Sequence, residues 1–206
     1  MINKVILLVG LFLSTICFGQ QLINISAEQN ITEFQNFQMS NANGMSFFDF
    51  DEDGWDDLTY PMNNDSIIFY KNNEGQFERL ESFLLSDGDI RQISWVDYDN
   101  NGTLDLCITY DRDGLRLYKN IGDFVFEDVS VSSGVYPSVV RPYGFNFVDY
   151  DSDGDLDIYL ANYAAPAFAD EGNMFFENQG NGTFIEKAIE LGIDNGTQTS
   201  FTGVWF

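Results

Sequence analysis

The chain has 206 residues, 44% of them hydrophobic and 16% aromatic, which is ample for a packed core and does not fit a disordered acidic tail. Its 33 acidic residues against 9 basic ones leave a formal charge of -24, which repels nucleic-acid phosphates and anionic membrane surfaces and removes both as partners. The chain has no histidine, so Ser/His/Asp and Cys/His catalytic arrangements are excluded.

Residues 1–20, MINKVILLVGLFLSTICFGQ, combine an early lysine, an apolar run from Val5 to Cys17 and a polar exit, the pattern of a secretory signal peptide. The run is short for a membrane span, and no other stretch approaches about 18 uninterrupted apolar residues. Ser14 and Ile16 stand where a lipoprotein signal prefers leucine and a small residue, which disfavours lipidation of Cys17. After cleavage only Cys107 remains, inside a strand pattern, so no disulfide framework is available. The implied location is secreted, extracellular or cell-surface.

Residues 21–46 are polar and Asn/Gln-rich, yet Leu22 to Ser26 followed by Ile31 aligns with Phe126 to Ser130 followed by Val135, and with Phe184 to Ala188 followed by Ile193. The segment therefore reads as the lead-in of a first repeat. The repeat itself is clearest at FVDYDSDGDLDIYL from Phe147, with copies FFDFDEDGWDDLTY from Phe47 and WVDYDNNGTLDLCITY from Trp95. Each acidic loop runs into a strand pattern: Leu58 to Tyr60, Leu106 to Tyr110 and Ile158 to Ala161. A second signature follows in Tyr70-Lys71-Asn72, Tyr118-Lys119-Asn120 and Phe176-Glu177-Asn178, each leading through a Gly-containing turn to a strand near Phe77, Phe124 or Phe184.

The first aspartates of successive loops are 48 and 52 residues apart, and the three asparagines are 48 and 58 apart. A unit of this length with about four short strands fits one blade of a β-propeller. Helical periodicity is hinted at only near 186–191. The third unit is lengthened by a Pro- and Ala-containing insertion at 162–173, read as a surface excursion with partner binding as the sharper alternative. Residues 203–206 correspond to those that precede each acidic loop, so the chain reads as an incomplete propeller over 21–206, with blade motifs starting near 47, 95 and 147 and a truncated one at 203.

The loops have the chemistry of a hard-cation cage. Side-chain oxygens come from positions 1, 3, 5 and 9: Asp49, Asp51, Asp53 and Asp57; Asp97, Asp99, Asn101 and Asp105; Asp149, Asp151, Asp153 and Asp157. Position 7 offers the main-chain carbonyl of Trp55, Thr103 or Asp155, and the glycine at position 6 allows a left-handed turn. An EF-hand would need a bidentate glutamate at position 12, but Tyr60, Ile108 and Leu160 occupy that place. All-oxygen ligation without histidine argues against zinc, copper or nickel, and the irregular donor set favours calcium over octahedral magnesium. Three divalent ions would bring the charge from -24 to -18. Asn101 keeps an oxygen but loses a charge, so the second loop is expected to be the weakest. Asn101, Asn181 and Asn195 each begin an Asn-Gly-Thr sequon, but the first reads as a ligand and the others as turn formers.

The repeated F-x-D-x-D-x-D-G-x-x-D-L, with the Tyr-Lys-Asn hairpin and the Phe-led strand, resembles the FG-GAP or VCBS repeats of integrin-α-like β-propellers, especially secreted bacterial proteins and the cartilage acidic protein group. The resemblance covers roughly residues 22–206. It implies an all-β fold, about three and a half four-stranded blades of a seven-bladed ring, and calcium in the hairpin loops at the positions named. The function it implies is a non-enzymatic, calcium-stabilised scaffold for adhesion or for binding an extracellular protein or glycan. The alternative is the propeller portion of a secreted polysaccharide-active enzyme whose catalytic part lies beyond residue 206.

Overall fold

A computed structural model of the chain describes residues 28, 31, 44–61, 67–80, 90–111, 113–136, 140–163 and 172–205. The expected signal peptide, nearly all of the expected lead-in, the middle of the insertion and Phe206 lie outside the described residues. The chain divides into a short unit, Met1–Thr32, and a second unit, Glu33–Phe206, which holds every strand described below.

Each repeat folds as a four-stranded antiparallel meander. The first sheet is β1 (Ser46–Phe48), β2 (Asp57–Pro61), β3 (Ile67–Asn73) and β4 (Gln76–Arg79). The second is β5 (Ile90–Val96), β6 (Asp105–Tyr110), β7 (Gly114–Asn120) and β8 (Phe126–Asp128). The third is β9 (Pro142–Val148), β10 (Asp157–Asn162), β11 (Met174–Asn178) and β12 (Phe184–Glu186). The first strands are neighbours across the sheets, β1 beside β5 and β5 beside β9. This is the all-β, blade-by-blade architecture that the repeat spacing predicts.

The core lies between successive blades, which explains why the second strands read as unbroken apolar runs. On β6, Leu106, Ile108 and Tyr110 join Phe50, Ile67 and Phe69 of the first blade, whereas Cys107 joins Ile158, Leu160 and Phe176 of the third. Alternation with period two thus sends one strand's side chains into two cores, so both faces must be apolar. Burying a residue such as the fully covered Phe69 contributes about 1.5–3 kcal/mol. Trp95 anchors the first core, with ring centroids 5.0 Å from Phe50 and 5.7 Å from Phe69, and its indole N–H donates to Thr59 Oγ1 at 3.0 Å. Cys107 is wholly buried, and burial pushes its thiol far above the ordinary range.

Polar side chains also tie blade to blade. The Gln92 amide acts as a short piece of strand between β5 and β9, donating from Nε2 to Phe145 O and accepting from Phe145 N, both at 3.0 Å. The close approach requires glycine next door, since a Cβ on Gly144 would meet Phe201 O at 2.9 Å and Gln92 Oε1 at 3.1 Å.

Two details differ from the sequence reading. The last strand of the second blade begins at Phe126, while Phe124 lies in the turn with φ 56° and packs against Phe50, Phe69 and Trp95. The longer turn, from Asn120 to its partner Phe126, moves the strand start two residues on. Second, a single helical turn without a helical signal in the sequence, α1 (Ser130–Ser133), follows β8, and its counterpart α2 (Ala188–Leu191) after β12 falls where helical periodicity is hinted at, near 186–191. Both end on a left-handed glycine, Gly134 or Gly192, after which Val135 N returns to Ser130 O and Ile193 N to Ala188 O. The two aligned segments at 126–135 and 184–193 therefore fold alike, each at the end of a blade, whereas the segment at 22–31 lies almost wholly outside the described residues.

Candidate metal centre

The three acidic loops, residues 49–57, 97–105 and 149–157, join the first strand to the second in each sheet, so all three lie at the same end of their blades. Backbone donors preform each loop. Asp49 accepts from Asp53 N (3.0 Å) and Gly54 N (2.8 Å), Asp97 from Asn101 N (3.0 Å) and Gly102 N (2.8 Å), and Asp149 from Asp153 N (3.1 Å) and Gly154 N (3.2 Å). Position 5 accepts from the amide of position 7: Asp53 from Trp55, Asn101 from Thr103 and Asp153 from Asp155. Gly54, Gly102 and Gly154 have φ of 94°, 83° and 94°, values that favour glycine. Position 4 is left-handed too, at Glu52, Asn100 and Ser152.

The carboxylate at position 9 is the buried member. Asp57, Asp105 and Asp157 are at most 1% exposed, and each Oδ1 accepts the backbone N–H of the signature asparagine: Asn72 at 2.7 Å, Asn120 at 2.7 Å and Asn178 at 2.8 Å. The second oxygen of Asp57 takes Phe50 N and that of Asp157 takes Tyr150 N. The asparagine side chain completes a clamp, donating to the carbonyl of Asp56, Leu104 or Leu156 and accepting from the hairpin glycine, Gly75, Gly122 or Gly180. Asn178 adds a bond across blades, from Nδ2 to Tyr98 O at 2.8 Å.

Carboxylate oxygens converge to within 4.8 Å of one another in three sets: Asp49, Asp51 and Asp53; Asp97, Asp99 and Asp105; Asp149, Asp151 and Asp157. The structure thus brings together positions 1 and 3 in every loop, with position 5 in the first and position 9 in the others. Asp57 and Asp153 lie outside these sets, and Trp55, Thr103 and Asp155 enter the loops through their backbone. The Asp155 side chain instead accepts from Asn100 Nδ2 of the neighbouring loop at 2.7 Å.

The residues fit a hard cation. Asp51 Oδ1, Asp99 Oδ1 and Asp105 Oδ2 are buried oxygens with no hydrogen-bond partner, a costly condition for an acceptor-only group. Burial, reinforced by the charges of Asp99 and Asp97, pushes Asp105 up to about 7. Burial likewise raises Asp57 and Asp157, each with two neighbouring carboxylates adding to the effect. A hydrogen bond from Lys71 holds Asp53 below its ordinary value.

Two participants were not assigned to the site from the sequence. Lys71 Nζ bonds Asp51 and lies 3.0 Å from Asp53 Oδ2, and Lys119 Nζ donates to Asp99 Oδ2 at 2.5 Å. Their signal was the Tyr-Lys-Asn signature, which also contains the clamping asparagine and which reads locally as hairpin chemistry. Asn181 behaves as the turn former expected, accepting from Thr183 N and Oγ1. At the opposite end of the sheets Asp111 is gripped by Arg91 (3.0 Å) and Arg141 (2.6 Å), which lie over the rings of Tyr143 and Tyr163.

Among known proteins, the family model described as an FG-GAP-like repeat matches residues 49–108 and 97–160, together more than half of the chain. No curated protein matches. Among solved structures, the pore of the Photorhabdus luminescens Tc holotoxin is similar at 16% identity and TM-score 0.39, covering 69% of this chain and 7% of that one. The chain thus spans a small fraction of the length of that structure. No helix among the described residues is long and apolar enough to cross a membrane.

Proposed function

Because this chain belongs to the FG-GAP-like repeat family, we propose that its β-propeller scaffold is secreted, is stabilised by calcium in its three acidic loops, and binds an extracellular protein or glycan without catalysing a reaction. The observation that carries the calcium reading is the convergence of three acidic sets, two of which contain buried carboxylate oxygens without partners. The ion would be held by the side chains of Asp49, Asp51, Asp53 and Asp57; Asp97, Asp99, Asn101 and Asp105; and Asp149, Asp151, Asp153 and Asp157, with the carbonyls of Trp55, Thr103 and Asp155. Its contribution is a fixed positive charge that relieves repulsion among these groups, so the role is structural.

With one such loop per blade, partner recognition falls to segments that differ between blades. The insertion is the leading candidate, because its base is pinned: Asn162 N donates to Asn173 Oδ1 at 2.9 Å and Asn162 Nδ2 to Gly172 O at 2.7 Å. The calcium reading is tested by following thermal unfolding across a calcium titration. At a free concentration 100 times Kd each site adds about 2.7 kcal/mol, so the melting temperature climbs with calcium and falls with chelator. A melting temperature indifferent to both would overturn it.

A further inference from the structure

The three loops carry nearly the same ligands but different counter-charges. Leu58 pairs with Tyr70, Leu106 with Tyr118 and Ile158 with Phe176, so the following residues Lys71, Lys119 and Glu177 are structurally equivalent. In the first loop Lys71 bridges Asp51 and Asp53, and in the second Lys119 bonds Asp99. No lysine or arginine among the described residues pairs with a carboxylate of the third loop. Glu177 is turned to Tyr150 instead, accepting its hydroxyl at 2.5 Å, while Gln179 Nε2 bonds its other oxygen at 3.0 Å.

The structure assigns Lys71 and Lys119 the role of resident cations that lower the calcium demand of the first two blades, and leaves the third blade, with Glu177 in their place, as the one whose fold depends most on the ion. This rests on the calcium reading above and deepens it. The ligand side chains of the first loop are four carboxylates offset by one ammonium, and those of the second are three carboxylates and Asn101 offset by one. The third has four carboxylates and, among the described residues, no ammonium paired with any of them, since Lys187 pairs with Glu177 instead, at 3.8 Å. Within it the buried Asp157 carboxylate lies with oxygens of Asp149 and Asp151 inside 4.8 Å. Asp149 and Asp151 are exposed and screened by solvent, so the repulsion falls chiefly on the buried Asp157, which no ammonium among the described residues offsets. In the second loop Lys119 bonds Asp99, while the buried Asp105 converges with Asp97 and Asp99, so that loop still takes an ion, with lower affinity.

Backbone hydrogen exchange of the full chain, read by mass spectrometry in calcium chloride and in chelator, gives each blade its own readout. Chelation is expected to speed exchange in β9 to β12 about tenfold more than in β1 to β8, a differential of about 1.4 kcal/mol. Lys71→Met, which keeps the apolar stem and removes the charge, should make exchange in β1 to β4 more strongly calcium-dependent than in the unaltered protein. Glu177→Lys should reduce the calcium response of the third blade about tenfold while leaving it folded in chelator. Equal calcium protection of all three blades, unmoved by either substitution, overturns this inference and leaves the calcium reading standing. No calcium response in any blade overturns the calcium reading itself.

Discussion

Asn178 offers the most direct test of how the blades are joined. Its side chain is 3% exposed and makes three hydrogen bonds, to Tyr98 O, to Leu156 O and from Gly180 N. Asn72, its counterpart in the first blade, makes two, to Asp56 O and from Gly75 N. At about 1 kcal/mol net per bond, Asn178→Ala costs about 3 kcal/mol and Asn72→Ala about 2 kcal/mol. For a chain of this size each kcal/mol moves the melting temperature by about 2–4 °C, so the expected losses are about 6–12 °C and about 4–8 °C. The difference between them is the bond to Tyr98 O, made across 80 residues of sequence. Circular dichroism melts of both variants, run with chelator throughout so that ion binding does not mask the effect, give the comparison. If Asn178→Ala proves no more damaging than Asn72→Ala, the inter-blade bond contributes nothing and the reasoning fails.

Two further outcomes follow from local geometry and charge. Gly154→Ala should cost about 1–2 kcal/mol from backbone strain, measurable by urea denaturation, because nothing lies within 4 Å of the added Cβ and φ is 94°; an unchanged midpoint refutes it. For Asp111, burial raises the carboxyl pKa, but hydrogen bonds from Arg141 and Arg91 more than offset it and leave the value below the ordinary one. A depressed folded-state pKa stabilises above the unfolded value, about 3.9, and that stability is lost as pH falls through the folded one. Asp111→Asn should therefore cost about 3 kcal/mol at neutral pH, since it removes the buried carboxylate charge that Arg91 and Arg141 grip, and the gap to the unaltered protein should close below about pH 4. A gap that widens on acidification contradicts the sign.

The acidic loops and hairpins were legible because their rules are local. Aspartates at alternate positions around a glycine, and Asn-x-Gly turns between aromatic strands, are decided by backbone preferences within about ten residues, and their recurrence near 50 residues exposed the blade. Strand limits were nearly right for the same reason. They failed at Phe124, where a longer turn let the ring drop into the core between the first two blades. The insertion was read as a lengthened segment, but its clamp by Asn162 and Asn173 needed the strand ends brought together.

Other features depended on contacts that alternation alone does not specify. Leu106 and Cys107 read as one apolar run, and only the stacking of blades sends the first toward Phe50 and the second toward Ile158. Lys71 and Lys119 read as the polar member of a hairpin signature, yet folding back the meander lays each ammonium on a carboxylate 20 residues earlier. The physical reason is common to both cases. Local patterning determines which groups a segment offers, whereas antiparallel pairing and blade stacking determine which groups must share a low-dielectric space, and there the charge balance of each loop is settled.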